Sequence, residues 1–172
     1  MGIGEDFRIF CGKLTINNRD SIGTRYQLIT RRLNLDFWDL DSKFSHSLYV
    51  GSYGRGTAIR GFSDLDMIFR LPYEYYEKYN NHRHNGQSAM LQDVKKSLQK
   101  TYPSTHIGGD GQVVVIRFID GIAFEVVPAF INKDGSYTYP DSNSGGRWRI
   151  TNPKTEIDAI STMDSDCNGN LK

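Results

Sequence analysis

Cysteine is almost missing from this chain. Its two representatives, Cys11 and Cys167, stand far apart and in no spacing that a metal site uses. That excludes a disulfide scaffold and suits a reducing cytosol, so a cytoplasmic location is expected. No window approaches the ~20 apolar residues that a membrane span needs, and no membrane association is expected. The first residues, MGIGEDFRIFCGKL, lack the basic start and apolar run of a secretory signal. Charge of one sign has no excess either: 21 lysines and arginines meet 20 acids, a formal net charge of +1. Gripping long nucleic acid takes one cation per phosphate contact, so bulk nucleic-acid binding is not expected and a small charged substrate is favoured. A Gly-x-Ser-x-Gly elbow is absent, which removes the common serine-hydrolase reading. Neither internal repeats nor low-complexity tracts occur.

What is there fits one ordinary globular domain: 172 residues, 38% hydrophobic and 24% charged. Between Asn18 and Trp38, Ile22, Tyr26, Ile29, Leu33 and Phe37 recur at three- and four-residue steps, the apolar face of a helix. Phe44 to Val50 reads as a short strand ending at Gly51–Ser52, and Tyr53 to Ile59 as one or two helical turns that Arg60–Gly61 breaks. Ser63 to Leu71 alternates, with Leu65, Met67, Phe69 and Leu71 on one side and Asp64, Asp66 and Ile68 on the other, which predicts a strand. Helices are expected over Tyr73–Tyr79 and Ser88–Tyr102, the second carrying Met90, Leu91, Val94 and Leu98 and ending at Pro103. The runs Gln112–Ile119 and Ile122–Pro128 flank Asp120–Gly121, a strong hairpin signal. After a turn at Asp134–Gly135 come a strand near Tyr137–Tyr139, an exposed loop over Asp141–Gly146 and a strand at Arg147–Ile150. Asn152 as cap and Pro153 at the first position open a last helix. The order predicts an α+β fold, a mixed sheet with helices on one face and the other face left for a ligand, a second domain or water.

The chemistry concentrates at Gly51–Ser52 and, after eleven intervening residues, Asp64-Leu65-Asp66. A Gly–Ser turn between a strand and a helix start offers backbone N–H groups, a hydroxyl and the positive end of a helix dipole, an arrangement suited to phosphate. Glycine allows a phosphate to approach the backbone closely. Asp64 and Asp66, two apart on a strand, leave the same face. Neighbouring carboxylates repel, and hard oxygen ligands select Mg²⁺ or Mn²⁺ to relieve that repulsion. Two such ions need a third acid; Glu125, between Phe124 and Val126 on a strand, is the best placed.

These residues resemble the polymerase-β-like nucleotidyltransferase superfamily, whose signature is Gly–Ser, about nine to thirteen residues, then Asp-x-Asp and a later acid. Within it, GSYGRGTAIRGFSDLDMIF, FEVVPAF and GRWRITNPK are similar to the cGAS/DncV-like nucleotidyltransferases, relatives of cyclic GMP–AMP synthase that make cyclic di- or trinucleotide signals in antiphage defence. The third acid, often Asp in that family, is here Glu125. The resemblance implies an enzyme that takes ribonucleoside triphosphates, uses two Mg²⁺ or Mn²⁺ ions and signals to an effector responding to the cyclic product. It assigns Gly51 and Ser52 to the donor phosphates, Asp64 and Asp66 to both ions, and Glu125 to the ion beside the acceptor. It also implies that residues 1–172 form a catalytic core. Within it, 1–42 are an N-terminal segment and long helix, 43–150 the catalytic sheet, and 151–172 the start of a largely missing helical region. Rival readings are a nucleotidyltransferase that modifies a protein, small molecule or RNA end, and a nucleotide-binding fragment with little activity of its own.

Weaker signals surround this constellation. Arg55 and Arg60 flank the turn and could neutralise triphosphate charge, and Arg70 shares the aspartates' parity. His82 and His84 lack the partners of a metal site. The cluster Tyr73, Tyr75, Tyr76 and Tyr79 could stack a base or simply pack a helix, and Trp148 could stack or anchor the strands around it.

Overall fold

Two periodicities build the molecule: steps of three and four in the helices, and alternation in the strands. The computed structural model describes residues 2–14, 19–59 and 64–167. Among these, the helices are α1 (Ile3–Leu14), α2 (Arg19–Phe37), α3 (Gly51–Gly54), α4 (Tyr73–Asn80), α5 (Gly86–Thr101) and α6 (Pro153–Asp166). The strands are β1 (Ser47–Tyr49), β2 (Leu65–Arg70), β3 (His106–Asp110), β4 (Val113–Arg117), β5 (Ala123–Ile131), β6 (Tyr137–Asp141) and β7 (Arg147–Thr151). The strands form one mixed sheet in the order β1-β2-β5-β4-β3, with β6 joining β5 to β7. Only the β2–β5 pairing is parallel among these ladders. A parallel pair requires a crossover, and α4 and α5 lie in that connection.

The expected faces are the buried ones. Ile29 and Leu33 of α2 and Met90, Val94 and Leu98 of α5 are fully buried against Met67, Phe69, Phe124 and Val126 of the sheet. Burying each such side chain stabilises the fold by about 1.5–3 kcal/mol. Asn85 caps α5 through its side-chain oxygen, which accepts from Ser88 N at 2.8 Å. Asn152 caps α6 in the same way.

Four stretches differ from the sequence expectation. The strand awaited from Phe44 begins only at Ser47, because His46 adopts φ +64° and holds its ring on Trp38, with centroids 3.9 Å apart. Its Nδ1 lies 2.7 Å from Asn34 Oδ1. The helical turn expected after Tyr53 sits earlier, at Gly51–Gly54, and Gly56 at φ +72° turns the chain away from it. β3 was unexpected because His-Ile-Gly-Gly-Asp carries a single apolar residue. Asp141, placed in an exposed loop by the sequence, is 1% exposed. Its carboxylate accepts from Arg147 Nε at 2.9 Å and Arg149 Nε at 2.7 Å, which turns the loop's first residue into an anchor for β7.

The second face of the sheet carries a smaller apolar cluster: Val50, Ile68 and Ala129 with Leu48, Val127, Tyr137 and Tyr139. The first turns of α6 lean over it. Pro153, Glu156 and Ile157 close a cavity of about 230 Å³ against Val50, Ile68 and Val127.

Candidate active site

β2 buries Leu65, Met67 and Phe69 in the core, so Asp66 leaves by the other face. Its parallel partner β5 is registered so that Asp66 faces Glu125 directly. The two carboxylates therefore stand side by side on the face that α2 and α5 leave open. Asp64, exposed and one residue before β2, completes the group. Glu125 therefore shares Asp66's side of the sheet.

The three acids disturb one another. Partial burial raises the Asp66 pKa above the usual carboxylate range, and the charge of Asp64 raises it further, while Arg55 opposes both. Burial also raises Glu125, with Asp66, Asp64 and Asp110 adding to the effect and Arg117 opposing it. These are the signs expected where negative charge is crowded away from water. Hard carboxylate oxygens in such a group suit Mg²⁺ or Mn²⁺. Among the described residues no three acidic, histidine or cysteine side chains close into a metal-holding group as they stand. The donor chemistry of these oxygens fits a divalent cation.

Gly51 stands against this group for a reason the sequence reading missed. At φ +60°, a β-carbon built on it would fall 1.9 Å from Asp66 Oδ2, so any other residue would strain the backbone and push the carboxylate aside. The turn is tied to β2 through Val50 N, which donates to Asp66 O at 3.0 Å. Tyr49 fixes it from behind, stacked on Tyr26 at 3.9 Å and tilted against Tyr53 at 4.6 Å. Val50 supplies no side-chain cap to α3, so the N–H groups of its first turn have no partner from within the helix. With four residues, α3 has little macrodipole; those N–H groups and the Ser52 hydroxyl are what it offers an anion.

Arg55 ends α3 and lies beside the site, with Nη1 3.7 Å from Glu156 Oε2 of α6. Arg60 lies outside the described residues. Arg70 shares the acids' face but sits at the far end of β2, over the Trp38 ring at 5.5 Å. Tyr73 is exposed, and the other tyrosines pack: Tyr75 meets Phe37, Tyr76 meets Phe130 and Trp148, and the buried Tyr79 donates to Asp93 at 2.9 Å. Trp148 anchors β7, its Nε1 donating to Asn80 Oδ1 at 3.0 Å. His82 and His84 are brought into no metal-holding group. Two residues that sequence reasoning overlooked, Asp110 and Arg117, reach the neighbourhood of Glu125. Arg117 needed the observed register: a two-residue Asp120–Gly121 turn would have set it opposite Phe124 on the core face, whereas β4 pairs it with Ala123; Asp110 needed the unforeseen β3.

The profile of the family described as Second Messenger Oligonucleotide or Dinucleotide Synthetase domain matches residues 1–164. Comparison with curated proteins gives no match. Among solved structures, the chain is similar to the CD-NTase CdnG of Bradyrhizobium diazoefficiens in complex with GTP, with TM-score 0.63 and 15% identity over 85% of this chain and 42% of that one. It is also similar to the CdnE cyclic dinucleotide synthase of Elizabethkingia meningoseptica with GTP and Apcpp, with TM-score 0.62 and 14% identity over 85% and 53%. A third likeness is to Vibrio cholerae DncV in its apo form, with TM-score 0.51 and 18% identity over 70% and 34%. At such identities the likeness is one of fold, and the chain spans about half, or less, of the length of these proteins.

Proposed function

Because the chain belongs to the Second Messenger Oligonucleotide or Dinucleotide Synthetase family, we propose that it is the nucleotide-transferring core of an enzyme joining ribonucleoside triphosphates with release of pyrophosphate. The product on this reading is a cyclic di- or trinucleotide messenger for antiphage signalling, read by a separate effector. The observation that carries the reading is the direct pairing of Asp66 with Glu125 on parallel strands, with Gly51 pressed against Asp66.

On this reading Asp64 and Asp66 hold two Mg²⁺ or Mn²⁺ ions, and Glu125 holds the one beside the acceptor. Held there, the cations would supply a lowered pKa for the attacking hydroxyl and charge neutralisation for the departing pyrophosphate. The first-turn N–H groups of α3 and the Ser52 hydroxyl bind the β- and γ-phosphates of the donor. Arg55 adds positive charge on the same side, and Arg60 follows it in sequence. On the same reading Glu125 would also help to accept the acceptor's proton, with its basicity lowered by the cation it holds. Repeating the transfer on the linear product closes the ring.

The test is incubation with labelled ribonucleoside triphosphates and Mg²⁺ or Mn²⁺, followed by phosphatase digestion. Phosphatase-resistant product formed without added acceptor is expected. Asp64→Asn with Asp66→Asn should abolish it and leave the circular dichroism spectrum unchanged; turnover by a folded double variant would overturn the assignment.

A further inference from the structure

A helix of four residues does not hold itself in shape, and α3 is one. What keeps it wound lies just after it. Gly56, at φ +72°, donates its N–H to Tyr53 O at 3.1 Å, and Thr57 N donates to Ser52 O at 2.9 Å. Two nested bonds around a left-handed glycine form a helix cap that satisfies the last carbonyls. Thr57 Oγ1 adds a second donor to the same Ser52 oxygen, at 3.3 Å. In caps of this kind the residues joined by the longer bond are frequently apolar and in contact. Here they are two hydroxyl residues, Ser52 and an exposed Thr57. The cap forgoes apolar packing and ties Thr57 to the serine of the turn.

Close contact fixes the rest of α3. Gly54 lies on the carbonyl of Tyr49 in β1: a β-carbon there would fall 2.5 Å from Tyr49 O, a backbone atom that cannot turn aside. Ile157 Cδ1 of α6 would stand 3.6 Å from the same point. The turn is therefore seated between β1 and α6, with Gly51 against Asp66 at its start and the Gly56–Thr57 cap at its end. Ser52 follows the glycine that meets Asp66, and its carbonyl is the one the cap grips twice.

We infer that Thr57, together with Gly56, is a positioning residue for the donor triphosphate, acting through Ser52, which it holds at a fixed place relative to Asp66. The inference rests on the assignment of Ser52 to the donor phosphates. Donors that are already aimed bind an anion better than donors that must be ordered on binding, because the ordering cost has been met in the fold. A nucleoside monophosphate, without β- and γ-phosphates, draws no benefit from that aim.

The experiment titrates the chain by calorimetry with the four non-hydrolysable ribonucleoside triphosphates and the four matching monophosphates, each with Mg²⁺. Wild type should bind a triphosphate more tightly than its monophosphate. Thr57→Val keeps the side chain's shape and removes the hydroxyl bond. It should weaken the triphosphate about fivefold, the loss of one ordinary hydrogen bond, and leave the monophosphate unchanged. Thr57→Ser should restore most of that loss. Gly56→Asn, a residue that tolerates the left-handed backbone, should bind nearly as wild type does, whereas Gly56→Val should weaken the triphosphate by about tenfold or more. Because Thr57 is exposed, Thr57→Val should keep the wild-type thermal midpoint to within about 2 °C. Unchanged triphosphate affinity in Thr57→Val, no rescue by Thr57→Ser, or an equal loss for both ligands with a lowered midpoint overturns the positioning role. A wild type that does not distinguish triphosphate from monophosphate instead overturns the assignment of Ser52. Survival of the preference in Asp64→Asn with Asp66→Asn overturns the carboxylates as the metal site, and leaves the Thr57 comparison legible by itself.

Discussion

At Asp66, three constraints meet in one side chain. Its strand partner is an acid, its neighbour two residues back is an acid, and Gly51 leaves it no spare volume. Both burial and Asp64 raise its pKa, which means that the charged form is less comfortable in the folded chain than in the unfolded one. Replacing Asp66 with Asn should therefore raise the thermal midpoint of the metal-free protein at neutral pH while lowering nucleotide transfer at least about a hundredfold. Differential scanning fluorimetry checks the first half, and a lower midpoint for the variant would contradict the crowding argument. Adding Mg²⁺ should stabilise wild type and leave the variant nearly unmoved. Gly51→Ala addresses the same contact from the other side. The new methyl would collide with Asp66 Oδ2 and strain a left-handed backbone, so equilibrium unfolding should show a loss of about 1–3 kcal/mol. Most of this was legible beforehand: the alternation of Asp64 to Phe69 set the face, and the spacing flagged the glycine. The target of the glycine's close approach was not legible, because it depends on where the strand carrying Asp66, fifteen residues further on, folds back.

Among the elements, long periodic segments were readable and short or glycine-bearing ones were not. α2, α5 and the β4–β5 hairpin lie within a few residues of where their apolar patterns put them, since each buries a stripe written into its own sequence. β3 is held by pairing with β4 rather than by its own composition, and a pattern of side chains has nothing to report where two successive residues are glycine. The path of α6 is also invisible in sequence: Asn152–Pro153 announces its start, yet only the folded sheet reveals that Glu156 comes to Arg55 and Ile157 to Gly54. That contact places α6 beside the turn assigned to the donor phosphates. Glu156 competes with a phosphate for the same guanidinium, and it is 63% exposed, so its hold is weak. Glu156→Gln should accordingly tighten binding of a triphosphate with Mg²⁺ by roughly two- to threefold. Arg55→Gln should weaken it and make the Glu156 substitution silent. Additive effects of the two substitutions in a double-mutant cycle would show that the pair is not coupled.

Over the whole molecule, the carboxyl and imidazole groups whose pKa values the fold shifts divide into two sets with opposite demands on pH. The larger set is held in its charged form or kept neutral by the fold. Arg147 and Arg149 hold Asp141 far below the usual carboxylate range. Arg25 also lowers Asp120, joining the β4–β5 turn to α2, and Arg31 lowers Asp41. Burial, with Arg70 nearby, lowers the His46 pKa. Each of these groups binds protons more weakly folded than unfolded, so its contribution is complete above its unfolded pKa and is lost as pH falls through the folded one. The smaller set, Asp66 and Glu125, has raised values, so its penalty is absent in acid and grows as pH rises through them. Stability without metal should decline gently below about pH 6.5, as His46 is protonated in the unfolded chain, and steeply below about pH 4, as the carboxylates follow. Chemical denaturation at a series of pH values tests this. The acid branch should be shallower in Asp141→Asn, which removes the most strongly depressed carboxylate. The stabilisation by Asp66→Asn should be largest near neutrality and vanish below about pH 3, where the wild-type carboxyl is itself uncharged. A variant equally stabilised at pH 3 and pH 7 would mean that packing, rather than charge, sets the cost of this aspartate.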